Sequence, residues 1–286
     1  MIRRWIVVRT FSLAVLAVLS CTAFVRADAP RFKFQKEEIL AYHLVQTTKI
    51  RETVFDEKTN KPVDSETSTT VDVQRKWKVT EVDDKGVATL EMSIASMRWE
   101  QKLPSGETDV FDSSKPDELN KAEMAKHVGP VLAVLRIDSL GRLVEVKESK
   151  VGPATRFAAD LPFKLILPEA EPKPGESWDR AYTIQLDPPH GTGEKYAAVQ
   201  KYTCQEPKNG LLAVGLGTTV KELPKESADQ IPLLPLMPQG SVYFHPATGR
   251  YYAARLKVEK ELKNHQGEGS RYTFVSTYVE DLVPAK

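Results

Sequence analysis

The sequence has few cysteines and no excess of charge of one sign. Only two cysteines occur among 286 residues, a number that excludes a fold held together by a network of disulfides. Basic and acidic residues nearly balance, with 40 Lys and Arg against 39 Asp and Glu. Nucleic-acid-binding proteins normally carry a strongly basic face, so the composition predicts no nucleic-acid partner. A hydrophobic fraction of 41% with 28% charged residues is typical of a folded globular chain.

The motifs of the common catalytic and metal-binding sites are also missing. The chain contains no Gly-x-Ser-x-Gly elbow, no His-Glu-x-x-His pair and no Cys-x-x-Cys pair. The nearest approach to a phosphate-binding loop, 215–218, lacks the required lysine. His190 lies in the stretch 187–193, which could hold a general base, but a polar turn between strands is the favoured interpretation. The sequence therefore predicts no cofactor, no metal site and no catalytic residue.

Residues 1–27 have the features of a secretory signal peptide. Arg3 and Arg4 precede the apolar run Phe11–Leu19, and small residues lead to a cleavage site before Asp28. We therefore expect export to the periplasm or the extracellular space. Removing this leader would leave 36 basic and 39 acidic residues. Beyond the leader, no apolar run approaches the ~20 residues that a membrane-spanning helix needs, so no span is predicted in the mature chain.

Cys21 offers an alternative destination for the exported chain. The residues before it loosely resemble the box of bacterial lipoproteins, in which a small residue precedes a lipidated cysteine. Lipidation at Cys21 would anchor the protein to a membrane. Cleavage before Asp28 would instead leave Cys204 as the only mature cysteine, and its position in a strand pattern favours a buried, structural side chain.

The mature chain shows the two-residue periodicity of antiparallel β-structure. In 71–80, for example, apolar residues alternate with charged and polar ones, as in a strand with one buried and one solvent-exposed face. About eleven such strands separated by turn signals predict a mainly β fold. We expect long antiparallel strands in one or two curved, half-barrel-like sheets. One helix is predicted near 115–128, with Ser114 as its cap and Gly129 as its stop signal.

The order of the turn signals suggests two loosely repeated halves. Gly86 and Gly141-Arg142 mark turns in the first half, and Gly210 and Gly249-Arg250 mark turns in the second. We predict a first half over 28–150 with the helix inserted, a connector over 151–176, and a second half over 177–286. Chance similarity between two sets of hairpins explains the pattern equally well.

Two short motifs carry a resemblance to a known group of proteins. Lys173-Pro174-Gly175-Glu176-Ser177-Trp178 opens a strand, and Thr248-Gly249-Arg250 lies late in the chain. Together with the leader, they resemble exported bacterial β-rich proteins of unknown function. The resemblance implies an exported β fold. It implies no activity, because the group carries no catalytic motif that could be transferred.

Two apolar segments lie outside the strand pattern. Leu161–Leu167 and Ile231–Met237 either line a hydrophobic cavity or complete the core of the sheet, and completion of the core is favoured. The leading hypothesis is a non-catalytic cell-envelope protein that binds a lipid-like or other hydrophobic small molecule in the concavity of a sheet. The candidate lining residues are Trp77, Trp99, Leu233, Leu234, Leu236 and Met237.

Two further hypotheses belong to other functional classes. A structural or interaction module would bind another envelope protein through an exposed edge strand, for which Arg271–Leu282 is the candidate. An envelope-polymer hydrolase would need converging histidines and carboxylates, with His190 among them.

Overall fold

The structure is a computed structural model of the full chain that describes residues 29–56, 58–59, 61–116 and 121–285. The predicted signal peptide and Cys21 lie outside the described residues. Twelve strands occur in the described part, and every pairing between them is antiparallel. They are β1 Ile39–Phe55, β2 Pro62–Val82, β3 Ala88–Lys102, β4 Thr108–Asp112, β5 Val131–Ile137, β6 Leu143–Ser149, β7 Ser177–Leu186, β8 Glu194–Cys204, β9 Leu212–Val220, β10 Gln239–His245, β11 Arg250–Lys263 and β12 Arg271–Val283. The predicted mainly β, antiparallel fold is confirmed.

Helical structure is confined to short segments in the described residues. They are α1 Lys121–His127, α2 Thr155–Ala159, α3 Ser227–Gln230 and a 3-10 helix, Ile231–Leu236. α1 lies inside the predicted span 115–128. Residues 117–120, between Ser114 and α1, lie outside the described residues, so the cap at Ser114 stays a prediction. The Asp112 carboxylate accepts hydrogen bonds from the Ser114 amide at 2.9 Å and the Ser114 hydroxyl at 2.6 Å. These two hydrogen bonds form a local turn directly after β4.

The sheet consists of two meanders joined at its centre. Its strand order is β6-β5-β3-β2-β1-β12-β11-β10-β9-β8-β7, and β4 pairs with part of β3. β1 pairs with β12 over thirteen registered positions, from Ala41–Val283 to Thr53–Arg271. β12 is therefore paired on both sides, by β1 and β11, and the expectation of an exposed edge at Arg271–Leu282 is wrong. The sheet ends at β6 and β7, and no pairing joins these two among the described strands.

The connector, residues 151–176, crosses one face of this sheet. It must run from β6 to β7, and these strands lie at opposite edges. Every second residue of its middle part is buried, with Leu161, Phe163, Leu165 and Leu167 at most 3% exposed. The Phe163 ring lies 5.9 Å from that of Trp77 on β2 and 6.0 Å from that of Tyr251 on β11. The connector thus completes the main core, as the favoured interpretation of Leu161–Leu167 predicted.

The N-terminal segment, residues 29–36, shows how strongly the sheet curves. The Phe32 amide donates to Ser139 O in the β5–β6 turn, and the next amide, of Lys33, donates to Gly249 O in the β10–β11 turn. In a flat sheet, the five inter-strand spacings from β5 to β11 would separate these turns by about 24 Å. The two donors, however, belong to consecutive residues, whose Cα atoms are only about 3.8 Å apart. The sheet therefore bends around the connector, as the predicted half-barrel-like shape requires.

The two motifs that carry the family resemblance hold these crossing segments in place. The Trp178 indole N–H donates to Ile166 O of the connector at 2.6 Å, and the Trp178 ring stacks on Tyr202 at 5.8 Å. Arg250 forms a two-pronged ion pair with Glu38, just after the N-terminal segment. Gly249 has a φ of +68°, and a Cβ there would meet Arg31 O at 2.7 Å. The motifs therefore stabilise the packing of the connector and the N-terminal segment against the sheet.

Candidate functional site

A gap opens along the outer edge of β3. Positions 88–93 of this strand pair with β5, and positions 98–102 pair with β4. Between them, turn residues satisfy the backbone: Gly129 N donates to Ile94 O, and Ser113 N donates to Met97 O, both at 2.9 Å. The Ser113 hydroxyl also accepts a hydrogen bond from Met97 N at 2.9 Å. β4 and β5 therefore diverge from β3, and α1 connects them in the sequence.

A pocket of about 720 Å³ occupies this divergence, and we call it the fork pocket. Seven apolar residues line it together with two polar ones. The lining residues are Ile94, Met97, Trp99, Val110, Phe111, Leu132, Val151, Asp109 and His127. Small-molecule sites typically measure ~300–1,000 Å³ and combine apolar walls with a few polar groups, so the fork pocket has the size and chemistry of a site for a hydrophobic ligand.

Trp99 and Phe111 form the aromatic wall of the fork pocket. They occupy directly opposed positions on β3 and β4, and both side chains are half-buried. Val110 is 45% exposed and stands where the pocket meets solvent. The pocket is therefore open to an incoming ligand, in contrast to the filled space beneath the connector.

Of the six predicted lining residues, three belong to the core. Trp77, Leu233 and Leu234 are at most 1% exposed. Trp77 packs in the main cluster, and Leu233 and Leu234 pack in two smaller clusters that flank the 3-10 helix. These side chains stabilise the fold and do not face an open cavity.

The other three predicted residues are half-buried and lie in different places. Trp99 lines the fork pocket. Leu236 lines a second cavity, of about 250 Å³, beneath the 3-10 helix. Met237 packs between the two smaller apolar clusters. The structure therefore does not bring the six residues together in one site.

Sequence reasoning missed most of the fork pocket. Ile94 and Met97 lie on the same strand as Trp99, and their apolar character was the available signal. Phe111 and Leu132 join them only because β4 and β5 leave β3 in different directions. That divergence depends on tertiary pairing, which the alternation of residues along a single strand does not encode.

A buried ionic cluster lies near the second cavity. The Glu280 carboxylate is fully buried and accepts hydrogen bonds from Arg75, from the Tyr251 hydroxyl at 2.7 Å and from the Tyr278 hydroxyl at 2.8 Å. Burial and the nearby Glu280 charge raise the pKa of both tyrosines well above the ordinary value. With all its oxygens engaged, Glu280 ties β2, β11 and β12 together across β1.

The described residues contain no group of three or more His, Cys, Asp or Glu side chains placed to hold a metal ion. His190 lies exposed in the β7–β8 loop. In the part of the chain that the structure describes, no helix combines the length and apolar character needed to cross a membrane.

No family model and no curated protein matches the sequence. Among solved structures, the chain is similar to a structure of lipovitellin that was determined to study lipid–protein interactions in that protein. The TM-score is 0.45 and the sequence identity is 12% over 88% of this chain. The match covers 26% of the lipovitellin chain. At this TM-score and identity, the similarity carries no inference about function.

Proposed function

We propose that the protein is an exported, non-catalytic cell-envelope protein that binds a lipid-like or other hydrophobic molecule in the fork pocket. The observation that carries the proposal is the pocket itself. Seven apolar side chains surround about 720 Å³ that stays open beside Trp99, while the connector fills the centre of the same sheet.

The composition of the wall defines the ligand class. Asp109 and His127 are the polar residues of the lining, so most of a bound molecule would contact hydrocarbon. Each buried CH₂ group contributes about 0.8 kcal/mol to transfer from water, which corresponds to about a fourfold gain in affinity. For a homologous series of alkyl compounds, affinity should therefore rise with chain length until the pocket is full.

The leader-like features of residues 1–27 support export, and cleavage before Asp28 is compatible with the packing of the N-terminal segment. Pro30 and Phe32 are buried only a few residues beyond the predicted cleavage site before Asp28. Cleavage there would remove no residue of the described core, and the mature chain would keep every contact reported above.

A fluorescence titration with the neutral apolar probe N-phenyl-1-naphthylamine tests the fork pocket. We expect saturable enhancement of probe emission by the full-length exported protein. Val110→Trp should abolish this binding, because the larger side chain would fill the mouth of the pocket. Val144→Trp is the matched control, since Val144 is a similarly exposed strand valine on β6, at 50% against 45% for Val110.

Two results would contradict the proposal. The first is an unsaturable or absent enhancement with the unmodified protein. The second is equal probe binding by the Val110→Trp and Val144→Trp variants, which would place the probe elsewhere on the surface. Circular dichroism of each variant verifies that the sheet is intact.

A further inference from the structure

We propose that the second cavity, between the connector and the 3-10 helix, is a separate binding site for a small organic acid, with the carboxylate held at Lys164. We call it the strap cavity. The connector contributes Arg156, Ala159, Asp160 and Lys164, and the segment around the 3-10 helix contributes Pro235, Leu236 and Pro238. Residues of the sheet, such as Leu216 on β9 and Leu256 on β11, form the floor of the cavity. This inference does not depend on the fork pocket.

The lining of the strap cavity combines polar and apolar groups. Lys164, Asp160 and Gln200 are among its charged and hydrogen-bonding residues, which also include Gln46, Arg156, Lys257, Ser276 and Tyr278. Its apolar walls come from Leu216, Leu236, Leu256, Val258 and Pro235. Its volume of about 250 Å³ lies just below the ~300–1,000 Å³ of typical small-molecule sites. A short-chain or aromatic carboxylic acid suits a cavity at this lower end of the range.

The charges around Lys164 favour an anion. The groups that act electrostatically on its ammonium include Arg75 on β2, Arg156 on α2, Arg180 on β7 and Glu280 on β12. Asp160 forms an ion pair with Lys164 from the connector itself. Lys257 on β11 also lines the cavity, and the Lys164 ammonium lies 5.2 Å from the centroid of the Tyr278 ring. Five cationic side chains, Lys164 included, are thus accompanied by two carboxylates, and Glu280 is already saturated by Arg75 and two tyrosines. An incoming carboxylate would reduce this excess of positive charge.

The free hydrogen-bonding groups of Gln200 and Lys164 also favour an anion. The Gln200 side-chain oxygen already accepts from Arg180 at 2.7 Å and from the Tyr202 hydroxyl at 3.0 Å. The remaining capacity of that amide is its two N–H donors. An ammonium group also offers three donors and no acceptor, and Asp160 occupies one donor of Lys164. Lys164 and Gln200 therefore have donors to offer a ligand, as recognition of a carboxylate requires.

Lys164 itself is held in an uncommon position. Its side chain is only 13% exposed, and its backbone has a φ of +48°. This left-handed conformation is rare outside glycine and marks a residue whose surroundings fix it. Phe163 and Leu165 on either side are buried in the main core, so the backbone that presents Lys164 to the cavity is firmly anchored.

Ligand binding should be coupled to uptake of a proton. Burial, reinforced by nearby arginines, lowers the pKa of Lys164 to about 7, so near pH 8 most of the amines are neutral in the unliganded protein. A carboxylate bound beside the amine favours the charged form. Binding at pH 8 should therefore take up close to one proton per ligand, and binding at pH 6 should take up almost none.

Isothermal titration calorimetry of the full-length exported protein with octanoate tests the site. Titrations in buffers of different ionisation enthalpy give the number of protons exchanged. We expect saturable binding with proton uptake at pH 8. In the Val110→Trp background, in which the fork pocket is blocked, the neutral analogue 1-octanol should bind at least tenfold more weakly than octanoate. Lys164→Met should weaken octanoate binding at least tenfold, whereas Lys173→Met, a change at an exposed lysine of the same connector, should leave it unchanged.

Two further variants keep the test decisive. Ala159→Leu narrows the cavity and leaves Lys164 in place, so it should weaken octanoate binding even if Lys164→Met fails to fold. Val110→Trp blocks the fork pocket and should leave octanoate binding intact. The proposal is overturned if 1-octanol binds Val110→Trp as tightly as octanoate does, if Lys164→Met and Ala159→Leu both bind octanoate normally, or if Val110→Trp abolishes octanoate binding.

Discussion

Replacing Phe163 by alanine tests whether the connector belongs to the core of the protein. The Phe163 ring is 1% exposed and lies within 6.0 Å, centroid to centroid, of five other aromatic rings. Loss of its buried apolar surface costs about 2 kcal/mol. If roughly 80 Å³ of the vacated volume stays unfilled, the cavity costs about another 2 kcal/mol. We therefore expect the free energy of unfolding to fall by about 4 kcal/mol.

Urea unfolding at 25 °C, followed by circular dichroism, measures this change. Phe111→Ala is the matched control, because Phe111 is half-buried beside a pocket that is already open. Without a new internal cavity, its truncation should cost only about 1 kcal/mol. The reasoning is refuted if Phe163→Ala costs no more than Phe111→Ala, since the connector would then be a surface strap and not part of the core.

Three further changes probe the contacts that hold the crossing segments. Gly249→Ala should destabilise the fold by about 1–3 kcal/mol because Gly249 has a positive φ and a Cβ there would meet a backbone oxygen. Gly217→Ala is the control, because Gly217 has open space around it and its substitution should be close to neutral. Thermal melts of the two variants measure both changes. Trp178→Phe removes the indole donor to Ile166 O and should cost about 1 kcal/mol in urea unfolding; an unchanged midpoint would contradict this. Because the folded-state pKa of Lys164 is near 7, below the ordinary 10.5, the unfolded chain binds more protons between these values, and stability should rise with pH across that window by about 3–5 kcal/mol. Lys164→Met should remove this rise, and an identical pH profile for the variant would refute the assignment.

The strands could be predicted from the sequence because each is a local pattern. The alternation around Val73 and Trp77 indicates which side chains share a face, and both are buried in the structure. The same alternation does not indicate what covers that face. Trp77 was therefore expected beside a ligand, whereas Phe163 of the connector packs against it.

The order of the strands depends on contacts between distant parts of the chain. β12 ends the chain and was expected at an edge, yet β1 pairs with it along its length. This pairing places β6 and β7 at the edges and forces the connector across the sheet. The apolar character of Leu161–Leu167 was the one local sign of this path, and it was interpreted correctly as part of the core.

Of the six predicted lining residues, Trp99 lines the fork pocket and Leu236 lines the strap cavity. The short segment Ile231–Met237 was recognised as apolar and irregular, but sequence could not show that Leu233 and Leu234 point into the core while Leu236 borders a cavity. In a 3-10 helix, successive side chains point about 120° apart, so adjacent leucines face different surroundings. Their roles are set by what the sheet and the connector place around them.

Native mass spectrometry of the full-length gene product, exported from a bacterial host and purified without detergent, tests the central claim most directly. We expect a chain that starts at Asp28 and carries added mass under native conditions. In the Lys164→Met background, in which the strap cavity holds no organic acid, this mass should be lost on denaturation and on addition of Val110→Trp. A bare Lys164→Met chain in the native spectrum, or added mass that persists in the Lys164→Met, Val110→Trp double variant, would contradict ligand binding in the fork pocket.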